Sequence, residues 1–319
     1  MDQTAIQQIY EAVKSNVGKV IVGKDEVIEL LVIALITNGH VLLEDVPGTG
    51  KTMLAKSLAS SLSLQFKRIQ FTPDLLPSDL SGIHYYNQKS GEFEFRAGPV
   101  FSNILLADEI NRATPRTQSS LLECMEEKQV SIDGITMPLG SPFMVIATQN
   151  PIEQQGTFPL PEAQLDRFLF KIKMGYPTSE EGVELLKRFK DENPLQKLQA
   201  VVTKEQLAQA ARSYTSVKLS DELLGYIVAV VEATRTREDV QMGVSPRGSQ
   251  ALLRAVQVYA ALRGRDYVTP DDVKAMAAPV LAHRLALRGM HRGTAATEHV
   301  IHQVLQQVTV PTEAMPHGV

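Results

Sequence analysis

The residues best suited to chemistry lie between positions 41 and 53, where a short apolar run enters a turn rich in glycine and proline. The turn ends in Gly50, Lys51 and Thr52, and the apolar spacing after it predicts a helix. Glycines let the backbone approach phosphate oxygens, and N–H groups at a helix start point towards them. In such a turn the lysine reaches the β- and γ-phosphates, and the threonine hydroxyl binds Mg²⁺. We therefore predict nucleotide contacts from Pro47, Gly48, Thr49, Gly50, Lys51, Thr52 and Met53.

The match to a phosphate-binding loop is incomplete, because the full pattern has a glycine where this chain has Asp45. An ordinary strand-to-helix turn is the alternative interpretation, but the apolar run before the turn and the helix after it favour nucleotide binding. Further upstream, Val22 and Gly23 lie between two predicted helices. They form either a helix-to-helix turn or an apolar seat for an adenine ring.

Two adjacent acids, Asp108 and Glu109, follow the apolar run at 104–107. A buried strand that leads into carboxylates is costly unless the charges have partners. Beside a phosphate-binding loop, Asp108 is expected to hold the Mg²⁺ shell and Glu109 to orient and deprotonate the attacking water. Acids are also common where a strand leaves a sheet, so this prediction depends on the loop upstream.

The composition is that of an ordinary globular chain, long enough for two domains. Of its 319 residues 44% are hydrophobic, and the net charge of -4 provides no cationic field for nucleic acid or anionic lipid. The single Cys124 excludes an intramolecular disulfide, and its apolar surroundings predict a packed thiol. No apolar stretch approaches the ~20 residues of a membrane span, and no signal peptide is recognisable, so we expect a cytoplasmic protein.

Two segments of the first half predict β-hairpins. Aromatic runs at 83–86 and 93–95 flank a turn at 87–91. Alternating residues around Asp133-Gly134 give a second hairpin, since Asp-Gly is a strong hairpin signal. The aromatic residues of the first hairpin form either a small satellite core or a substrate-contacting surface at its tip.

These motifs occur together with a further apolar strand that ends in Thr148-Gln149-Asn150-Pro151, and the combination resembles the AAA+ ATPases. The run Asp-Glu-Ile-Asn-Arg-Ala at 108–113 narrows the resemblance to one branch of that family. With the runs Leu-Leu-Glu-Cys-Met-Glu-Glu at 121–127 and Leu-Pro-Glu-Ala-Gln-Leu-Asp-Arg-Phe at 160–168, the chain is similar to the MoxR branch of that family.

The resemblance implies an α/β fold, a P-loop AAA+ core with a parallel five-stranded sheet flanked by helices and two β-hairpin insertions. The strand candidates are 41–44, 66–71, 104–107, 143–148 and 168–172. The nucleotide-binding core is expected at 1–176, and a C-terminal all-α lid domain at 177–319. Helix starts in the second part are predicted at Thr178, Thr203, Ser220 and Thr269.

The resemblance also implies three further site residues. Asn150 matches sensor 1, beside the γ-phosphate, although an Asn-Pro turn is the alternative. Arg167 matches an arginine finger that acts on a neighbouring subunit, with Arg112 and Arg116 as rivals and a surface ion pair as the alternative. Arg247 matches sensor 2, a lid arginine on the γ-phosphate, and its alternative is a surface arginine at a helix start.

The resemblance implies a Mg²⁺-dependent ATPase that works as a homo-oligomeric, hexameric ring with ATP as substrate. A chaperone-like role towards client proteins is implied with it, as is a partner carrying a von Willebrand factor A domain. A nucleic-acid motor or loader is an alternative, disfavoured by the net charge and by few basic residues in the hairpins, Lys89 and Arg96 in the first and none at 130–137. A nucleotide-gated scaffold is a second alternative, disfavoured by Glu109, Asn150 and Arg247.

Overall fold

The structure is a computed structural model that describes residues 3–151, 156–190, 193–289 and 293–311, with side chains from residue 5 onwards. Its contacts form two compact units, one comprising Gln8–Ala211 and the other Met1–Gln7 with Arg212–Val319. The domain boundary between residues 176 and 177 was inferred from sequence patterns and stays a prediction.

Strands and helices alternate in the first unit, whereas helices dominate the second. Numbered along the described chain, the strands are β1 (Val41–Glu44), β2 (Phe66–Gln70), β3 (Gly82–Asn87), β4 (Glu92–Ala97), β5 (Ile104–Asp108), β6 (Gln129–Ile132), β7 (Ile135–Pro138), β8 (Met144–Gln149), β9 (Phe170–Ile172), β10 (Val240–Met242) and β11 (Ala286–Leu287). The α-helices are α1 (Gln3–Val17), α2 (Asp25–Ile36), α3 (Lys51–Ser61), α4 (Pro77–Ser81), α5 (Pro115–Glu127), α6 (Glu162–Leu165), α7 (Ser179–Phe189), α8 (Lys204–Ser213), α9 (Asp221–Arg235), α10 (Pro246–Leu262), α11 (Pro270–Leu281) and α12 (Thr294–Gln307).

A five-stranded parallel sheet organises the described part of the first unit, in the order β2-β5-β8-β1-β9. The central strands β1, β5 and β8 are almost wholly buried, as expected when helices cover both faces of a parallel sheet. Strand β2 is an edge strand and carries exposed Lys67 and Arg68, which suit an edge that must not pair with another chain. The predicted five-stranded parallel sheet is confirmed, although β9 begins at Phe170 and not at Phe168.

Both hairpins are present, β3 with β4 and β6 with β7. The second turns at Asp133 and Gly134, which have positive φ angles of 50° and 81°, the conformation that Asp-Gly turns favour. His84 of the first hairpin lies 2.8 Å from Asp133 of the second, so the two hairpins contact each other. The rings of Tyr86 and Phe93 are exposed at the tip of the first hairpin, and their contact with a client stays a prediction.

The second unit is helical, and the predicted helix starts are confirmed within both units. Thr178 and Thr269 form capping boxes, Ser220 accepts from the Leu223 N–H, and Thr203 accepts from the Gln206 N–H. The short ribbon of β10 and β11 was not predicted, since strands of three and two residues are too short for a pattern of alternation. Among the described residues, no helix combines the length and apolar character needed to cross a bilayer.

Cys124 was predicted to be a packed thiol, and it is buried in α5 among the apolar residues that cover the sheet. Burial raises the pKa of its thiol to about 11. The thiol is therefore protonated at neutral pH, as expected for a packed side chain and not for a reactive one.

Candidate functional site

The glycine-rich turn joins the carboxyl end of β1 to the start of α3. Gly48 and Gly50 have φ angles of 85° and 89°, which only glycine adopts without strain, and Gly50 is the N-cap of α3. The first N–H groups of a helix have no acceptor within the helix. In α3 these groups belong to Lys51, Thr52 and Met53, and no acidic residue lies in the first turn. The turn therefore presents donors and a positive helix end to an anion.

Lys51 is held by the main chain of the same turn. Its Nζ donates to the carbonyl oxygens of Asp45 and Val46, at 2.9 and 2.7 Å. Burial lowers the pKa of Lys51, and the negative charges of Asp45, Asp108 and Glu109 partly oppose that shift. The lysine thus lies in the field of three acids while its hydrogen bonds go to neutral carbonyls.

Asp45, the departure from the full loop pattern, has a structural role. Its Oδ2 accepts from the Gly175 N–H at 2.7 Å, and its Oδ1 accepts from the Val46 N–H at 2.8 Å. The carboxylate therefore connects the start of the turn to the segment that follows β9. A glycine at this position has no side chain and makes neither bond.

Thr148 positions both acids at the end of β5. Its hydroxyl donates to Asp108 Oδ1 at 2.6 Å and accepts from the main-chain N–H of Glu109 at 2.8 Å. Glu109 itself has a positive φ of 58°, which turns its side chain out of the strand direction. Thr148 is buried in β8, the neighbour of β5, so the sheet register fixes this contact.

Side chains from β2 and from the turn after β5 hold the two carboxylates. Arg68 donates to Asp108 Oδ2 through Nη2 at 2.6 Å and through Nε at 3.1 Å. Gln70 donates to Glu109 Oε2 at 2.6 Å, and Arg112 Nε lies 3.0 Å from the same oxygen. Arg112, a predicted rival for the arginine finger, therefore contacts an acid of its own chain.

Many of these groups, although not Asp45 or Arg112, line one cavity of about 380 Å³, the size of a small-molecule site. The cavity brings together the predicted residues of the turn, the acid pair and Asn150 at the end of β8. It is lined by Pro47, Gly48, Gly50, Lys51, Thr52, Met53, Arg68, Gln70, Asp108, Glu109, Thr148 and Asn150. The predicted contact Thr49 is not part of this lining; its hydroxyl donates to the Val46 carbonyl.

Three of these lining residues, Arg68, Gln70 and Thr148, were not predicted from the sequence. Arg68 and Gln70 are two positions apart on β2 and therefore share a face, and Gln70 lies opposite Asp108 in the sheet register. Thr148 precedes Asn150 by the same spacing. Polar residues two apart near the end of a strand were the available signal, but only the strand order shows that they face the acids.

Arg167 lies at the opposite end of the sheet from this cavity. It precedes β9, close to the amino end of β1, because the Leu169 N–H donates to the carbonyl of His40. Its Nε lies 2.9 Å from Glu126 Oε2 at the end of α5, an ion pair in which the Nε–H does not point at the carboxylate. Its role as an arginine finger stays a prediction.

The other predicted site residues are distributed more widely. Val22 and Gly23 precede α2 and do not line the cavity, and Gly23 lies against the Glu181 side chain. Arg116 is exposed in the first turn of α5, and Arg247 is exposed in the first turn of α10 in the second unit. The roles predicted for these residues stay predictions.

Two family models match the chain, the ATPase family associated with various cellular activities over residues 40–170 and the AAA lid domain over residues 232–304. The chain is also 46% identical to the chaperone MoxR1 of Mycobacterium tuberculosis, over 93% of this chain and 81% of that protein. This chain belongs to the MoxR family of AAA+ ATPases.

Two further proteins resemble the chain along nearly all of its length. It is 50% identical to YeaC of Bacillus subtilis over 93% of each chain. The crystal structure of a candidate ATPase from Cytophaga hutchinsonii has a TM-score of 0.90 and 42% identity, covering 97% of each chain. Every residue that lines the cavity lies within the matched ATPase segment 40–170 of this MoxR-family chain, and Arg247 lies within the matched lid segment.

Proposed function

We propose that this chain binds ATP with Mg²⁺ and hydrolyses it as one subunit of a ring. The observation that supports this most strongly is the cavity in which the glycine-rich turn meets Asp108, Glu109 and Asn150. A phosphate-binding turn alone supports binding. A turn that faces an acid pair also supports hydrolysis, because hydrolysis needs a group that takes a proton from water.

The turn and the start of α3 form the proposed triphosphate site. The N–H groups of Lys51, Thr52 and Met53 bind phosphate oxygens, since they have no acceptor within the helix. Lys51 exchanges the carbonyls of Asp45 and Val46 for the β- and γ-phosphates. The exchange favours binding, because a phosphate carries negative charge and a carbonyl does not.

The donor set suits Mg²⁺, which prefers oxygen ligands and usually takes only one or two from the protein beside waters and substrate phosphates. The Thr52 hydroxyl and the Asp108 carboxylate line the same cavity and would hold the ion. When bound, Mg²⁺ neutralises negative charge on the phosphate oxygens. Thr148 keeps Asp108 in place through its hydrogen bond to Oδ1.

Glu109 is the proposed base that takes a proton from the attacking water. Thr148 holds the main chain of Glu109 in place, so the carboxylate can change position by side-chain rotation alone. Its contacts with Gln70 and Arg112 are side-chain contacts, which open without any change to the sheet. The Asn150 amide, which lines the same cavity, orients the water or the terminal phosphate.

Arg167 is proposed to act on the nucleotide of a neighbouring subunit. A strand rises by about 3.3 Å per residue, so the ends of this sheet are roughly 10–20 Å apart. An arginine at the amino end does not reach a nucleotide at the carboxyl end of its own sheet. It can face the nucleotide of a neighbour in a closed ring, for which we propose six subunits, with Arg112 and Arg116 as the remaining candidates.

The proposed biological role is chaperone-like. The relative from Mycobacterium tuberculosis bears the name of a chaperone, and we extend that role to this chain. The client and a partner with a von Willebrand factor A domain belong to the same proposal. A nucleic-acid motor is less well supported, because the chain carries a net charge of -4 and its hairpins have few basic residues.

Calorimetric titration with ATP and Mg²⁺, together with measured phosphate release, tests the proposal. The wild-type protein is expected to bind and turn over ATP, and Lys51→Ala is expected to do neither while unfolding at the same temperature. Lys56→Ala is the matched control, since Lys56 is exposed on the same helix. Absence of binding heat for the wild type contradicts the proposal, and stimulation by DNA that salt abolishes supports the motor instead.

A further inference from the structure

Arg68 occupies a position that the proposed reaction leaves without a role. It lies on edge strand β2, and its side chain is 48% exposed where it lines the cavity. Two of its nitrogens donate to the same oxygen, Asp108 Oδ2. Its Nη2 also donates to the neutral amide oxygen of Gln70, at 3.1 Å.

This contact conflicts with the metal-binding role proposed for Asp108. Oδ1 of Asp108 accepts from Thr148, and Oδ2 accepts from Arg68, so both carboxylate oxygens have partners. A Mg²⁺ ion held by this carboxylate would lie next to the guanidinium, and the two positive charges repel each other strongly within a few ångströms. Thr148 is neutral and can stay, whereas the guanidinium has to leave.

The guanidinium has a suitable destination inside the same cavity. Its charge is permanent, and its fork of N–H groups matches phosphate oxygens. The side chain is tethered to β2 and lines the same cavity as the glycine-rich turn that is proposed to hold the phosphates. A bound triphosphate brings several negative oxygens into this space and so replaces the charge that Asp108 supplied.

We propose that Arg68 is a phosphate-binding residue, which exchanges the carboxylate of Asp108 for a phosphate oxygen when nucleotide and metal enter the cavity. This inference rests on the proposed function, because it takes a nucleoside triphosphate as the ligand. Before binding, Arg68 neutralises Asp108; after binding, it neutralises the phosphates. The site then never leaves a carboxylate or a guanidinium without an opposite charge.

The alternative role is a fixed brace that keeps Asp108 in place in every state. The two roles predict opposite results for ATP binding without divalent cations, when Arg68 stays on Asp108. If Arg68 moves to the phosphates, Asp108→Asn frees it for that contact, and the substitution strengthens ATP binding more when Arg68 is present. If Arg68 only keeps Asp108 in place, it already neutralises that carboxylate, and Asp108→Asn strengthens ATP binding more when Arg68 is absent.

The test is a double-mutant cycle in the affinity for ATP, measured by calorimetry in EDTA on the full-length chain. The four proteins are the wild type, Arg68→Gln, Asp108→Asn and the double variant. We expect Asp108→Asn to raise the affinity about tenfold in the wild-type background, as for one new hydrogen bond to a charged group. In the Arg68→Gln background the rise should be several-fold smaller.

Equal rises in both backgrounds, or a larger rise in the Arg68→Gln background, would overturn the assignment. Lys67→Gln is the matched control, because Lys67 is the exposed neighbour on β2 and faces the other side. If Arg68→Gln fails to fold, Arg68→Lys keeps the charge without the fork and should give a rise between the two. A wild type that binds no ATP in the presence of Mg²⁺ refutes the proposed function, whereas a wild type that binds ATP with the wrong coupling refutes only the role of Arg68.

Discussion

The two ends of the parallel sheet use polar residues in different ways. At the carboxyl end, the carboxylates of Asp108 and Glu109 are held by neighbouring side chains and line an open cavity. At the amino end, His40 is buried, its two ring nitrogens bond to main-chain groups, and its ring lies edge-on to that of Phe143. Its Nδ1 accepts from the Val145 N–H at 2.9 Å, and its Nε2 donates to the Met125 carbonyl at 3.0 Å.

This difference in hydrogen-bond partners suits the carboxyl end to ligand binding and the amino end to stability. Hydrogen bonds between side chains can open and exchange while the backbone stays in place, so a ligand can take over the partners of Asp108 and Glu109. The bonds of His40 cannot exchange, because their other ends belong to a strand and a helix. Two residues do not follow this pattern of partners. Asp45 lies at the carboxyl end with main-chain partners, and Arg167 lies at the amino end with the Glu126 side chain as partner.

The largest expected effect tests whether the amino end joins the chemistry of a neighbouring subunit. We expect Arg167→Ala to lower kcat by roughly 10³–10⁵-fold, the range measured for arginine fingers. The affinity for ATP should change little, because Arg167 is far from the cavity of its own chain. Steady-state phosphate release and calorimetry measure the two quantities.

Mixed rings decide whether Arg167 acts on a neighbour. Subunits with Lys51→Ala are expected to bind no nucleotide but to keep Arg167, so mixing them with Arg167→Ala subunits should restore part of the turnover. Arg112→Ala and Arg116→Ala serve as comparison variants. If mixing restores no activity, Arg167 does not act on a neighbouring subunit, and the amino end of the sheet takes no part in the chemistry.

The next effect concerns the carboxyl end alone. Glu109→Gln keeps the size of the side chain and removes its capacity to accept a proton. We expect kcat to fall by roughly 10²–10⁴-fold, the usual contribution of a general base, with ATP binding retained. Unchanged turnover in a single-turnover assay would remove Glu109 from the mechanism.

The third prediction concerns stability at the amino end. Burial lowers the pKa of His40 to about 4, below the ordinary value of 6.5. The unfolded chain therefore binds a proton that the folded chain does not, and His40 stabilises the fold fully only above about pH 6.5. Stability is lost as the pH falls through this interval, by on the order of 2 kcal/mol between pH 7 and 4.5.

Urea unfolding of the wild type and of His40→Gln at these pH values measures this contribution. The variant should be less stable at pH 7, and its stability should decrease less on acidification. Parallel pH profiles for the two proteins would show that His40 is not the group that titrates.

The smallest effect concerns Asp45, the acid at the carboxyl end that has main-chain partners. Asp45→Asn keeps one acceptor oxygen, so either Val46 or Gly175 loses its partner. We expect a loss of about 1 kcal/mol in unfolding free energy. Faster amide hydrogen exchange at Gly175 or Val46 is the specific readout, and unchanged protection at both would mean that the carboxylate does not hold them.

Much of the site was predictable because its residues are close in the sequence. Gly48, Gly50, Lys51 and Thr52 belong to one turn, and their types and order are enough to indicate a phosphate site. Asp108 and Glu109 were found in the same way, from an apolar run that ends in charge. The Asp-Gly turn of the second hairpin is equally local, since its backbone angles depend on two residues.

The partners of these residues were not predictable. Arg68, Gln70 and Thr148 contact the acids because β2 and β8 lie on either side of β5, and nothing local to those segments indicates that order. The same holds for Asp45, whose sequence neighbours give no hint of a bond to Gly175. The position of Arg167, at the end of the sheet away from the cavity, likewise follows from the direction of β9 beside β1.

The sequence by itself therefore predicted the candidate chemistry, a phosphate-binding turn and an acid pair, and it indicated the family to which the chain belongs. The tertiary structure alone decided which side chains hold those groups and which end of the sheet each one occupies. The physical reason is that the conformation of a turn depends on adjacent residues, whereas the contacts of a side chain depend on strands that meet only when the sheet forms.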